Sequence, residues 1–194
     1  MKLKIYAVTG LVFLILNQIL LLQGTEFIQS QKPIDYVHWL LFLGVLLCSS
    51  VNYIFSDGIF NNTATVLTSI GIIALIGQAV IDFLWWSYGT DYEGMNNLIN
   101  QIMSRPSIRI PFITIGPALF YLGLAIHAGK LIRKQTLFSA VTILGVLITG
   151  LGSFVFDNNR YIVILGHIVL TIGIIGLLFK NNTLNNKSIE LEKQ

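Results

Sequence analysis

The chain has little charge and almost no cysteine. Only 11% of its 194 residues are Asp, Glu, Lys or Arg, whereas an ordinary soluble domain has about 25%. Its single cysteine, Cys48, excludes a disulfide within the chain. The sequence also lacks the patterns typical of a serine hydrolase, a phosphate-binding loop or two metal ligands on one helix. Composition therefore argues against an ordinary soluble domain, and no catalytic motif names an activity.

Apolar sequence is what the chain has in abundance. Hydrophobic residues make up 54% of it, and Asp82 is the one acidic residue inside the long apolar runs. A bilayer core of about 30 Å needs roughly 20 apolar residues of helix. Six runs have about that length, so the sequence predicts an all-α polytopic membrane protein with a six-transmembrane-helix bundle. The predicted spans are 5–22, 36–55, 64–88, 111–131, 137–156 and 161–179. They form one domain over residues 1–179, followed by a disordered cytoplasmic tail over 180–194.

Lysine and arginine are unequally divided between the two sides of the predicted bundle. The side of the N-terminus holds Lys2, Lys4, Lys130, Arg133, Lys134, Lys180, Lys187 and Lys193. The other side holds only Lys32, Arg105, Arg109 and Arg160. The positive-inside rule places the richer side in the cytoplasm. We therefore expect an integral protein of a bacterial plasma membrane with both termini cytoplasmic. No small-x-small site follows the first run, so we expect it to remain as an uncleaved span.

Two pairs of segments echo each other at a nearly constant offset. Residues 43–57 and 144–158 both begin LGVL, and residues 69–76 (SIGIIALI) resemble residues 171–178 (TIGIIGLL). The echo would pair the second span with the fifth and the third with the sixth. Since each half would contain three spans, the halves would be inverted repeats, as in many transporters. A chance likeness between glycine-containing apolar runs is the alternative.

Polar residues recur at helical spacing within several spans. Polar side chains exposed to lipid are costly, so these faces are expected to point into the bundle or a wet cavity. By depth, polar residues of four spans converge on the outer half of the bundle, near an aromatic residue. The predicted ligand-binding residues are Asn17, His38, Gln78, Asp82, Trp85 and His167. In the fifth span, the small residues Thr142, Gly145, Thr149 and Gly152 are instead expected to permit close helix packing.

Asp82 has two competing interpretations. Paired with His38 or His167, its carboxylate could bind a cation, carry a proton or act in acid–base chemistry. Alternatively, the long third span lets Asp82 reach headgroup water, with Trp85 in an interfacial aromatic belt. Single histidines such as His127 are more often structural. The sequence predicts no catalytic, cofactor-binding or metal-ligating residues, and it leaves any cofactor unknown.

The segment 89–110 on the outer side is the one long connection. Within it, Leu98, Ile99, Ile102 and Met103 lie on one side of a predicted short amphipathic helix. Such a helix is either an inert connector or a lid over the outer cavity.

Three functions fit these patterns. The first is binding or transport of a small solute in an outward-facing polar cavity. The second is a non-catalytic subunit or accessory protein of a membrane complex. The third is a membrane-embedded enzyme that uses an Asp/His pair on a lipid or quinone. The expected partners are the lipid bilayer, a small-molecule solute, and a partner membrane subunit or a second copy of the chain. Nucleic acid is not an expected partner, because the basic residues cluster at span ends.

Overall fold

The structure, a computed structural model, describes residues 1–55 and 58–191, with side chains described as far as Lys180. All regular secondary structure in these ranges is helical. The helices are α1 (Lys2–Leu21), α2 (Gly24–Ser30), α3 (Tyr36–Cys48), α4 (Ser50–Ile54), α5 (Ile59–Ser87), α6 (Tyr92–Met103), α7 (Pro106–Ile108), α8 (Ile115–Lys130), α9 (Thr136–Gly150) and α10 (Arg160–Leu191). Two π-helical segments, Arg109–Thr114 and Leu151–Val155, precede α8 and follow α9.

Six helical stretches are long and apolar enough to cross a membrane. They are Lys2–Leu21, Tyr36–Ile54, Ile59–Ser87, Pro106–Lys130, Thr136–Val155 and Arg160–Lys180, here called the first to sixth spans. The predicted all-α class and the six-helix bundle are therefore confirmed. The third span begins before the predicted boundary because α5 continues through the polar residues Asn61 to Thr63. The predicted disordered tail lies mostly beyond the described side chains, and residues 192–194 lie outside the described residues.

The six spans form a ring in chain order. Each span packs against the next in the sequence, and the sixth packs against the first. Contacts are most extensive within three antiparallel pairs: α1 with α3, α5 with α8, and α9 with α10. A ring built from three helical hairpins can enclose a space at its centre.

Glycines set how closely the helices of each pair approach. A Cβ on Gly10 of α1 would lie 2.6 Å from the Gly44 carbonyl oxygen of α3. A Cβ on Gly71 of α5 would overlap the Phe120 backbone of α8, and one on Gly145 of α9 would overlap Leu170 of α10. Small residues at these positions bring the backbones together, which is how helices pack where surrounding lipid removes the hydrophobic drive between them.

The small residues of the fifth span serve this packing, as the sequence analysis expected. Thr142 lies against Gly173 of α10, and Thr149 lies against Gly166. A Cβ on Gly152 would meet the Val163 backbone nitrogen at 2.9 Å. This face of α9 is therefore occupied by α10.

The contacts give the proposed inverted repeat no support. Gly44 and its sequence counterpart Gly145 pack in opposite directions along the chain: Gly44 on the preceding span and Gly145 on the following one. Gly71 packs on the following span, whereas its counterpart Gly173 packs on the preceding one. Equivalent residues of a repeat would have equivalent neighbours. In both halves the similar segments place a glycine where two helices meet, and the inverted repeat stays unconfirmed.

The two ends of the ring differ in character. We call one the cavity end; it carries the connections 22–35, 88–105 and 156–159. The other, the terminal end, carries Met1, the beginning of α5, residues 131–135 and Lys180. A buried apolar core extends from the middle of the bundle towards the terminal end. It includes Leu11, Val45, Cys48, Phe120, Leu124, Leu170, Ile174 and Leu177. The bundle is thus densely packed below the cavity end.

One cluster of polar groups within this core is hydrogen-bonded together. The Thr68 hydroxyl donates to Asn52 Oδ1 at 2.5 Å, and Asn52 Nδ2 donates to the Ser69 hydroxyl at 3.2 Å. The His127 ring lies within hydrogen-bonding distance of Asn52 Oδ1 (3.3 Å, from Nε2) and Asn61 Oδ1 (3.4 Å, from Nδ1). This cluster joins the second, third and fourth spans, so His127 has the structural role expected of it.

The glycine contacts predict a position-specific loss of stability. Gly71→Ala should lower the free energy of unfolding by about 1–3 kcal/mol, because its Cβ would overlap the Phe120 backbone. Gly129→Ala is the matched control, since a Cβ there meets no atom within 4 Å. Unfolding of both variants in mixed detergent micelles measures the difference. Equal stability of Gly71→Ala and the parent chain would contradict this packing.

Candidate functional site

A cavity of about 970 Å³ lies between the spans at the cavity end. All six residues predicted to form the ligand site line it: Asn17, His38, Gln78, Asp82, Trp85 and His167. Helical periodicity and depth thus predicted side chains that lie around one cavity. That these residues bind a ligand stays a prediction.

The floor and the roof of the cavity are apolar. Leu14, Leu41 and Leu75 line the cavity and also belong to the buried core, so they separate it from the terminal end. The roof is formed by α2 and by the apolar face of α6, comprising Leu98, Ile99, Ile102 and Met103. The amphipathic helix expected in the segment 89–110 therefore lies over the cavity. Its position fits either a fixed roof or a lid.

One contact holds the roof against the third span, and a second joins the two roof helices. The Trp86 indole N–H donates to the Ile28 carbonyl of α2 at 3.1 Å. The Gln29 side chain reaches Met95 of α6, which is almost fully buried. Because α2, α5 and α6 meet here, the long connection is not a free loop on the bundle surface.

Asp82 is a charged group of the cavity that has no direct partner among the described side chains. Among the described side chains, none hydrogen-bonds to its carboxylate or forms an ion pair with it. Three ionisable groups lie close enough to interact with it electrostatically: His38, Asp35 and Arg160. A charged group that faces a mostly apolar cavity without a direct partner is costly. The carboxylate is consequently available to a ligand.

His38 is held by a second carboxylate that sequence reasoning missed. Asp35 Oδ2 lies 2.5 Å from His38 Nδ1, and Asp35 Oδ1 accepts the backbone N–H of His38 at 3.1 Å. The ring also makes edge contacts with Phe83 and Trp85. Since Nδ1 is engaged, Nε2 is the nitrogen left for the cavity. The signal was the Asp-x-x-His spacing at the start of α3, which places an N-cap carboxylate beside the imidazole.

Both ring nitrogens of His167 have hydrogen-bond partners within the protein. Its Nδ1 lies 2.8 Å from the Val163 carbonyl, and its Nε2 lies 2.8 Å from the Tyr121 hydroxyl. The carbonyl requires the proton on Nδ1, so Nε2 accepts from the tyrosine. Of the two histidines proposed as partners of Asp82, His38 is therefore the one that interacts with it, and His167 braces α8 against α10.

A chain of amides connects the first span to the sixth. Asn17 Nδ2 donates to the Val37 carbonyl at 2.9 Å, and Gln18 Nε2 donates to Asn17 Oδ1 at 2.9 Å. Arg160 Nη1 then reaches Gln18 Oε1 at 3.4 Å. Asn17 is thus occupied by a structural role, although it lines the cavity. Sequence reasoning counted Arg160 only as a charge outside the sixth span and did not place it in the site.

The cavity therefore presents four groups that a ligand can use. They are the Asp82 carboxylate, the Gln78 amide, His38 Nε2 and the remaining N–H groups of Arg160. Within the described residues, no three His, Cys, Asp or Glu side chains are grouped so as to hold a metal ion. The arrangement offers opposite charges and hydrogen bonds at the polar side of an otherwise apolar chamber.

The comparisons with known proteins add no family. The chain matches no protein-family model, no curated protein and no solved structure. Function must therefore be argued from the site itself.

The Asp35–His38 pair predicts that removing the N-cap aspartate of α3 lowers stability more than removing the N-cap aspartate of α6. Asp35→Ala should cost about 2–4 kcal/mol of stability, because it removes an N-cap and leaves a buried imidazole without its partner. Asp91 caps α6 in the same way, accepting from the Gly94 N–H at 2.9 Å, but it is exposed. Asp91→Ala should cost about 1 kcal/mol. Chemical unfolding in detergent compares the two, and equal costs would show that the pair adds nothing beyond the cap.

Proposed function

We propose that the chain is an integral membrane protein that binds a small solute in the cavity and moves it across the bilayer. The observation that carries the proposal is the unpaired Asp82 carboxylate in a chamber of about 970 Å³. Ligand pockets are typically about 300–1,000 Å³ and mostly apolar, with a few polar groups that orient the ligand. A carboxylate without a protein partner favours a ligand that carries a positive charge.

The charge distribution supports a cavity that opens outward. The terminal end carries most of the lysine and arginine, which favours a cytoplasmic position for that end of the bundle. The cavity end would then face the outside of the cell. A solute would enter beneath α2 and α6 and meet the polar groups at that depth.

Buried polar atoms beyond the cavity support transport rather than binding alone. Thr171, one helical turn from His167, has a buried hydroxyl without a partner. Nearer the terminal end, the Ser139 hydroxyl and both polar atoms of the Gln135 amide are also unpartnered. Such groups are rare in folded proteins and costly to bury. We infer that they pair with solute or water in a second conformation of the bundle.

One observation favours a second candidate, a membrane-embedded enzyme acting on a lipid or quinone. The buried Asp35–His38 pair leaves one imidazole nitrogen for the cavity, and Asp82 interacts with the same histidine. A histidine oriented by a carboxylate is a common general base. Chemical change of a bound substrate that His38→Gln abolishes would favour this enzyme over a transporter.

The proposed function predicts that binding depends on Asp82. A panel of small ammonium-bearing solutes, including amino acids, polyamines and choline, should contain one that raises the thermal midpoint of the purified chain. Asp82→Asn should weaken that binding by about tenfold or more, because a charge-assisted contact is lost. Glu93→Gln, which alters an exposed carboxylate outside the cavity, is the control. Equal binding by Asp82→Asn and the parent chain would reject the proposed role of Asp82.

A further inference from the structure

The cavity is not confined to the centre of the ring. Leu122 of α8 and Leu147 of α9 both line it. They are also 47% and 58% exposed, respectively. Leu151, which follows α9, lines the cavity as well and is 47% exposed. Apolar side chains from two adjacent spans thus flank an opening in the side of the bundle.

The glycine pattern explains why the opening lies between α8 and α9. On α8, Gly116 and Gly123 face α5, whereas on α9, Gly145 faces α10. No described glycine brings α8 and α9 together in this way. The two helices are joined at the terminal end by residues 131–135, and the cavity occupies the space between them towards the cavity end.

Gly150 lies beside the open space between α8 and α9. It lines the cavity on α9, and a Cβ at this position would meet no atom within 4 Å. Every other described glycine of α9 and of the segment that follows it packs against a neighbouring helix. In a bilayer, this gap would face hydrocarbon, since it lies within the fourth and fifth spans.

The cavity therefore has a polar side and an apolar side. Asp82 and Arg160 lie at the polar side with opposite charges, and the unpartnered Gln78 amide lies one helical turn from Asp82. The apolar side consists of the α6 roof and the opening flanked by Leu122 and Leu147. A complementary ligand has a headgroup with both charges and an apolar chain.

We propose that the ligand is a zwitterionic amphiphile whose chain leaves the cavity through the gap between α8 and α9 into the bilayer. Its ammonium group lies against Asp82 and its anionic group lies near Arg160. Its chain passes Gly150 and the flanking leucines. The proposal rests on the proposed function and specifies the class of solute. A volume at the upper end of the ligand-pocket range also suits a molecule longer than a free amino acid.

Binding of a single-chain probe tests this assignment. The full chain in a maltoside detergent is titrated with lysophosphatidylethanolamine and, separately, with glycerophosphoethanolamine, its water-soluble headgroup. Native mass spectrometry measures the bound fraction. Gly150→Leu should weaken binding of the lysolipid by about tenfold, because the leucine fills the space that the chain needs. It should leave headgroup binding unchanged.

Matched variants separate the parts of the proposal. Gly129→Leu places the same side chain at another open helical glycine outside the cavity, and it should bind the lysolipid like the parent chain. Asp82→Asn should weaken binding of both probes, and lysophosphatidylglycerol, which has no ammonium group, should bind more weakly than the zwitterionic lysolipid.

Three results would overturn the inference. Equal lysolipid binding by Gly150→Leu and Gly129→Leu would show that the chain does not occupy the gap. Binding of a small ammonium solute that needs Asp82, without binding of the lysolipid, would retain the proposed function and reject the amphiphile. Absence of any ligand that depends on Asp82 would instead reject both.

Discussion

Every polar group placed among apolar helices needs a partner, and this constraint organises the whole molecule. Water is scarce between the spans, so an unpaired hydrogen-bonding group there is costly. The chain meets the constraint locally at most positions. Asn17 bonds to the backbone of α3, His167 bonds to Tyr121 and to its own helix, and His127 joins the amide cluster. Asp82 and Gln78 in the cavity have no such partner among the described residues, and the proposed ligand would supply one.

A second constraint, close helix packing, decides where a ligand can be held. Glycines bring α1 to α3, α5 to α8 and α9 to α10, and the ring is closed by the remaining, less extensive contacts. Apolar side chains fill the bundle towards the terminal end, but the helices leave a chamber at the other end. The tight pairs also determine that the gap lies between α8 and α9. Packing and polarity together therefore define one chamber with one polar side.

Much of this could be predicted from the sequence, for identifiable physical reasons. Apolar length gives the six spans, because bilayer thickness fixes the number of helical residues required. Helical periodicity brings Gln78 and Asp82 to one face, and depth brings Gln78 and His167 to a similar level. These are properties of single helices, so they hold without knowledge of the neighbouring helices.

Contacts between helices could not be predicted in the same way. The sequence shows that Gly44 and Gly145 occur in similar contexts, but not that they face opposite neighbours along the chain. It shows a histidine on the sixth span, but not that Tyr121 already occupies its second nitrogen. Arg160 enters the site through the rotation of α10 about its axis, which no local pattern specifies. The inverted repeat was inferred from sequence likeness rather than from contacts, and it stays unconfirmed for this reason.

The most direct test is native mass spectrometry of the chain released from the membrane in which it is made, compared with Asp82→Asn. If a ligand pairs with the Asp82 carboxylate, the parent chain should carry a small molecule of defined mass, and the variant should have lost it. Identical spectra for the two chains, whether each is bare or bound only to another protein, would contradict a ligand held at Asp82. Spectra in which both chains are bound only to another protein would favour an accessory subunit.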